Sequence, residues 1–265
     1  MKIDYTTVTE VAGDDVSQEQ IQRLCNRYYW AEKYCRGKDV FEIACGSGQS
    51  LRLLHNVSRS LEAGDCSDDL LAIAKSNYGD MIKLSKIDAH QLPFEDSSKD
   101  VIICFEAIYY IENVETFLGE CRRILRPSGV LLIATANKDL YDFNPSPYSY
   151  KYFGVVEMRE MLSKFGFATE FFGDTVLHNL SLKQKFLRPI KKIVVQFGLI
   201  PKSMSGKKFL KKIVFGNLVP MPAEIKEDTC PRIEPDPIEP DRPSMSHKVL
   251  YCKGTLMDKN VKGVV

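Results

Sequence analysis

The sequence predicts an α/β protein with a doubly wound, mainly parallel sheet. Short apolar runs alternate with helical stretches over residues 40–172, and one run, 100–105 (DVIICF), is apolar throughout, as a strand buried on both faces of a parallel sheet must be. The first run, 40–44 (VFEIA), passes directly into the small residues CGSG and then a helix, which is where sheets of this kind bind ligands.

In chain order, residues 40–44 are strand one, followed by a helix over about 49–56. Residues 61–64 are a short second strand. Ser67 then caps a helix over 68–76, its hydroxyl accepting from a free N–H of the first turn. Residues 82–87 and 100–105 are strands three and four. An amphipathic helix over 114–125 is stopped by Pro127 and Gly129, and 129–136 (GVLLIATA) is strand five. A helix over 155–165 closes at Gly166, 168–172 is strand six, and 248–253 (KVLYCK) is the last strand. Functional side chains are expected just beyond strands one to five.

The chain has 265 residues, 44% apolar and 27% charged, with a net charge of +1. That is ordinary for a globular chain and gives no overall bias toward nucleic acid. The opening MKIDYTTVTE lacks the apolar stretch of a signal peptide, and no apolar run approaches membrane-spanning length, so a cytoplasmic location is expected. The eight cysteines are scattered, with no CxxC pair and no Cys/His cluster. They read as free thiols, and no metal site is predicted.

Charge is uneven along the chain. Residues 175–223 hold ten lysines and arginines and no acid, and residues 224–243 hold seven acids and five prolines. This divides the chain into a main domain over 1–176 plus 247–256, an inserted segment over 177–246 and a tail over 257–265. The insertion is expected to form a helical cap over an acceptor pocket, where its charge would favour an anionic molecule. Two plainer readings stand beside that one: solvated basic helix faces, or peripheral contact with an acidic membrane through FLRPIKKIVVQF and KKFLKKIVF.

Four stretches carry chemistry. Glu42-Ile-Ala-Cys-Gly-Ser-Gly48 follows strand one, and its small residues Ala44, Gly46 and Gly48 let the backbone turn tightly beside a ligand. Asp65 stands 17 residues after Gly48, at the end of strand two, where a carboxylate can accept from both hydroxyls of a ribose. Asp88, with the Ala89 amide, follows strand three and can serve an adenine. Phe105 and the residues after it (FEAIYY) end strand four.

In order and spacing, VFEIACGSG, AGDCS, DAHQLPFEDSSKDV and ECRRILRPSGVLLIATAN resemble the class I S-adenosylmethionine-dependent methyltransferases. The nearest likeness is to the small-molecule branch that includes ubiquinone and menaquinone biosynthesis enzymes. RYYWAEKYCRGKDV is similar to the helix leading into the first motif. The resemblance covers residues 20–172 and implies a Rossmann-like sheet of six parallel strands, with 248–253 as one antiparallel strand. It implies S-adenosyl-L-methionine as cofactor and transfer of its methyl group to an oxygen or nitrogen of a small molecule, in secondary metabolism, sugar tailoring or quinone biosynthesis. By the same resemblance, Glu42 would hold the methionine end and Ala44, Gly46 and Gly48 would lie beneath it. Asp65 would hold the ribose, Cys66 would lie beside the adenine, and Asp88 and Ala89 would bind it. Phe105 would face the methyl group, and Tyr28 or Tyr29 would close over the cofactor. Ala44 departs from the family's usual glycine, and Glu42 from its more frequent aspartate.

A general base is required only for a hydroxyl or protonated-amine acceptor. Tyr109 and His178 are the candidates, while His90 is expected to orient its own loop. Two other classes remain: a non-catalytic cofactor-binding partner protein, and an NAD-dependent oxidoreductase. The second is disfavoured by Leu51, which stands where a third glycine would let a pyrophosphate approach the helix. Nucleic-acid methylation is disfavoured by FEAIYY, which has no NPPY-like tetrapeptide.

Overall fold

A computed structural model describes residues 5–177 and 217–258. The first long helix, α1 (Gln18–Cys35), follows a three-residue strand, β1 (Asp15–Ser17). Ser17 and Gln20 close a reciprocal cap at its start: the Gln20 amide donates to the Ser17 hydroxyl, and the Ser17 amide donates to the Gln20 side chain. Ile21, Leu24, Cys25, Tyr28 and Tyr29 recur at helical spacing and are buried. Gly37, at φ +68°, turns the chain into β2 (Asp39–Ile43).

From there strand and helix alternate as predicted: α2 (Leu51–Val57), β3 (Ser60–Asp65), α3 (Asp68–Tyr78), β4 (Lys83–Lys86), β5 (Lys99–Phe105), α4 (Val114–Ile124), β6 (Leu125–Ala136), α5 (Val155–Lys164) and β7 (Phe167–Val176). Ser67 caps α3, accepting from the Leu70 amide at 3.4 Å. After the insertion come β8 (Leu218–Pro220), β9 (Asp236–Ile238) and β10 (His247–Leu256).

The main sheet has the order β4-β3-β2-β5-β6-β10-β7-β9. Strands β2 to β7 run one way, and β10 lies antiparallel between β6 and β7. Period-two alternation divides the core. Val40, Ile103, Leu132 and Tyr251 face α1 and α2, while Phe41, Ile102, Ile133 and Cys252 face α4 and α5. This is the Rossmann-like arrangement expected from the sequence.

Residues 217–246 of the insertion contain strands and no helix, in keeping with the acidic, proline-rich composition of 224–243, since five prolines and many acids leave no apolar helical stripe. β9 adds a short edge strand to β7, and β8 pairs antiparallel with β1 in a separate two-stranded sheet. The basic helices expected within 178–216 lie outside the described residues. Among the described residues, no helix is long and apolar enough to cross a membrane.

The turn after β2 rests on Gly48. It adopts φ +81°, and a methyl group there would lie 3.0 Å from Leu51 Cδ1 and 3.1 Å from both Ala74 and Tyr78. Gly48→Ala therefore combines a left-handed backbone cost with overpacking against α3. The expected loss is about 2 kcal/mol, read as a lower urea midpoint at unchanged m value.

Candidate active site

Strands β2, β3 and β4 step outward in one direction, and the chain then returns to place β5 on the other side of β2. The chain segments that leave the carboxyl ends of β2 and β5 therefore run to opposite sides, and a cleft of about 810 Å³ opens there, roofed by α1 and residues 5–10. Both strands leave the sheet through a non-glycine residue in the left-handed region, Ala44 (φ 57°) and Glu106 (φ 51°). Such geometry costs about 1–2 kcal/mol per residue and collects where a site demands it.

The cleft gathers Tyr28, Ala44, Gly46, Asp65, Cys66, Asp88, Ala89, Phe105 and Tyr109 from five separate elements and loops. Asp65 is 5% exposed. Its Oδ2 accepts from the Gly46 amide and its Oδ1 from the Ser67 amide, both at 2.9 Å. Burial raises its pKa, against the pull of these two amides. The pair of bonds fixes the carboxylate between the turn after β2 and the start of α3, with lone pairs left for a ligand. Asp88 is exposed, and its Oδ1 accepts from the amide of His90 and sits 2.7 Å from His90 Nδ1. The first of these contacts, then the second, lowers its pKa. His90 Nε2 in turn accepts from the Asn113 amide at 3.2 Å, so His90 braces its own loop as expected.

Two residues expected at the cofactor, Glu42 and Gly48, do not line the cleft. Glu42 is 1% exposed and sits beneath the cleft floor, because its position on β2 points it at α1. There it accepts from the Tyr28 hydroxyl, and its Oε2 has no partner among the described residues. Burial lifts its carboxyl to about 7, against the Tyr28 hydroxyl and the Arg27 charge. Gly48 also lies outside the cleft lining and serves the turn alone. Of the two tyrosines, Tyr28 reaches the cleft and packs edge-on against Phe105, with ring centroids 5.2 Å apart. Tyr29 instead donates to the Lys226 carbonyl at 2.6 Å.

Tyr109 is a wall. Its ring stacks on Tyr152 at 4.1 Å, its hydroxyl donates to Glu106 Oε2 at 3.0 Å, and burial holds the phenol well above its usual pKa. A phenol so held stays protonated and cannot accept a proton. His178 lies outside the described residues.

Four cleft residues were not anticipated: Tyr5, Arg23, Arg27 and Ser50. Glu106 belongs to the FEAIYY stretch singled out after strand four. Residues 139–150, rich in aromatic and turn residues after β6, also reach the site. Tyr150 lines the cleft, and its amide donates to the Tyr109 carbonyl at 2.8 Å. All eight cysteines are free. Seven are buried, and Cys66, in the cleft, is exposed. Among the described residues no His, Cys, Asp and Glu cluster could hold a metal.

Residues 41–133 match the family model of the methyltransferase domain. A probable S-adenosylmethionine-dependent methyltransferase of Mycolicibacterium smegmatis is 28% identical over 167 residues, 58% of this chain and 65% of that protein. Over these residues the chain is thus similar to S-adenosylmethionine-dependent methyltransferases. A ubiquinone biosynthesis O-methyltransferase of Agrobacterium fabrum is 27% identical over 113 residues, covering 42% of this chain and 45% of that protein. Between about half and two thirds of these relatives' length is thus matched. The YcgJ protein of Bacillus subtilis superposes with a TM-score of 0.56 at 15% identity, covering 88% of this chain and 98% of that one. That likeness concerns the fold.

The Mycolicibacterium relative is named for S-adenosylmethionine, and the cleft has features that suit that molecule. A buried carboxylate at the end of β3 meets the turn after β2, a second carboxylate follows β4, and neither needs the phosphate-binding glycine that Leu51 replaces.

Glu42 makes the ligand-free protein sensitive to pH. Its folded pKa, about 7, lies above its ordinary value of 4.5. Between those values the folded chain keeps a proton that the unfolded chain has released. The stabilisation is complete below the window and is lost as pH rises through it. Glu42→Gln should flatten that decline, on the order of 2 kcal/mol between pH 4.5 and 8, in denaturation curves measured across the range. An unchanged decline would remove Glu42 as its source.

Proposed function

We propose that the protein is an enzyme that transfers the methyl group of S-adenosylmethionine to an oxygen or nitrogen of a small-molecule acceptor. The observation that carries this is Asp65, buried in the cleft and held by the Gly46 and Ser67 amides at the switch point of the sheet. In this reading Asp65 accepts from the ribose hydroxyls, Asp88 and the Ala89 amide take the adenine, and Cys66 lies beside it. The backbone at Ala44 and Gly46 underlies the methionine end. Tyr28 covers that end and is itself held from below by Glu42. The backbone at Phe105 faces the methyl group.

When bound, the cofactor supplies a sulfonium methyl already activated for displacement. The protein's task is then to align an acceptor in line with it and to exclude water. Tyr109, Tyr110 and Tyr150 wall the remaining space. Glu106, at the end of β5, is the carboxylate placed to take a proton from a hydroxyl or ammonium acceptor, with Tyr109 fixing one of its oxygens. The ubiquinone relative is named as an O-methyltransferase, which supports oxygen as the receiving atom.

Calorimetric titration with S-adenosylhomocysteine tests the reading. Micromolar binding is expected, and Asp65→Ala should weaken it by at least about tenfold, or about 1.4 kcal/mol. A folded wild-type protein that does not bind would overturn it.

A further inference from the structure

The loop between β6 and α5, residues 137–154, exposes three phenols. Tyr141, Tyr148 and Tyr150 are each about half exposed, and among the described residues no other aromatic side chain is exposed. Contiguous exposed apolar surface of this kind marks a binding site more often than chance. The loop is well anchored. Leu140 and Phe153 bury its two ends. Phe143 packs edge-on against Tyr152, with ring centroids 4.7 Å apart, and the Ser146 amide donates to the Tyr152 hydroxyl at 3.1 Å. Tyr148 is the informative residue. The Ser149 amide donates to the Ser146 carbonyl at 3.3 Å, so Pro147 and Tyr148 are the central residues of a tight turn, and Tyr148 has φ 65°. A turn with positive φ at its third residue prefers glycine there, and a bulky side chain costs about 1–2 kcal/mol. The chain nevertheless holds a tyrosine at this position with its ring in solvent, so neither the turn nor the core accounts for it. Strain of this kind collects at ligand sites.

The chemistry of the loop selects its ligand. Residues 139–150 include Asp139 and Asp142 and no lysine or arginine, and Glu106 and Glu112 line the adjoining cleft. Such a surface disfavours phosphates and carboxylates, against the anionic acceptor expected from the basic insertion. A hydrocarbon acceptor would call for leucine and phenylalanine rather than exposed phenols. A neutral sugar fits both features. Its C–H face lies on the electron-rich face of an aromatic ring, and its hydroxyls meet the hydroxyl and amide groups of Tyr, Ser and Asn in the same stretch. We propose that residues 141–150 bind a neutral saccharide at the mouth of the cleft, and that a hydroxyl of this saccharide is the methyl acceptor. Tyr150 lines the cleft, whereas Tyr141 and Tyr148 lie outside its lining, so the saccharide is longer than one ring. The acceptor clause rests on the methyltransferase reading, and the binding clause does not. In that transfer the hydroxyl oxygen forms the new carbon–oxygen bond as the carbon–sulfur bond of the sulfonium breaks. The electron pair stays on sulfur, and the hydroxyl proton passes to Glu106.

Affinity electrophoresis of the full chain, in gels cast with dextran, mannan, galactan or xylan, tests the surface. At least one of these polysaccharides should retard the wild-type protein. Tyr141→Ala and Tyr148→Gly should each raise the apparent Kd by at least about tenfold, while Tyr148→Phe, which keeps the ring, retains the retardation. Tyr148→Gly should also keep the wild-type urea midpoint, since glycine relieves the strained turn, and both weakened variants should keep wild-type affinity for S-adenosylhomocysteine in calorimetry. A purely structural role for the tyrosines would move those two readouts instead. Labelled methyl from S-adenosylmethionine should then enter the retarding polysaccharide as an alkali-stable ether. Retardation without transfer would remove the acceptor assignment and leave the surface. No retardation in any of these gels, or retardation unaltered in both weakened variants, would overturn the proposal and leave the cofactor assignment standing. Failure of wild-type protein to bind S-adenosylhomocysteine would instead defeat the methyltransferase reading, with the gels still deciding the surface.

Discussion

The divergence of the chain segments that leave β2 and β5 is the constraint on which the site depends. Adjacent parallel strands are joined by right-handed crossovers, so a chain that winds outward from β2 and then returns must leave a crevice at their carboxyl ends. Every side chain of the cleft is placed by that break. The turn after β2 and the end of β3 are then held together, just past the last pairing of the two strands, by the Cys45 amide on the Gly64 carbonyl and the Gly46 amide on Asp65. Residues 5–10 and α1 close the other side, and β1 paired with β8 ties that roof to the chain beyond the insertion.

Within this frame the protein keeps several unfavourable local states close together. Ala44 and Glu106 sit in left-handed backbone, the Glu42 carboxyl is buried with one oxygen unpartnered, and two arginines hold shielded, unpaired donors. The rest of the fold has capped helices, period-two strands and a core on each face of the sheet, with left-handed backbone also at Ser97, Ser128, Tyr148 and Thr175. Local rules are expected to fail at functional sites, and the failures named first lie in or beside one cavity.

The scaffold was legible in the sequence because its signals are local. DVIICF, GVLLIATA and the Ser67 cap each declare their element from a few neighbouring residues. Asp65 and Asp88 were legible because an acid just past a strand end has one natural place to be in this topology. The burial of Glu42 was not legible because strand position says where the backbone runs, whereas the face a side chain takes depends on which helix covers it, here α1. Arg23 and Arg27 were silent for a related reason. Charged residues on a helix read as solvated until the sheet beneath them is seen to open.

The distribution of thiols has a practical consequence. Seven of the eight cysteines are buried, and the one exposed thiol, Cys66, stands in the cleft next to Asp65. Burial and the neighbouring carboxylate raise its pKa to about 11, so it alkylates slowly at neutral pH and faster as the solution becomes alkaline. The native chain thus offers one addressable attachment point for a fluorophore or spin label without prior cysteine replacement. A probe fixed there would sit inside the cleft and report its occupancy directly, turning a residue of no evident chemical role into the protein's own sensor.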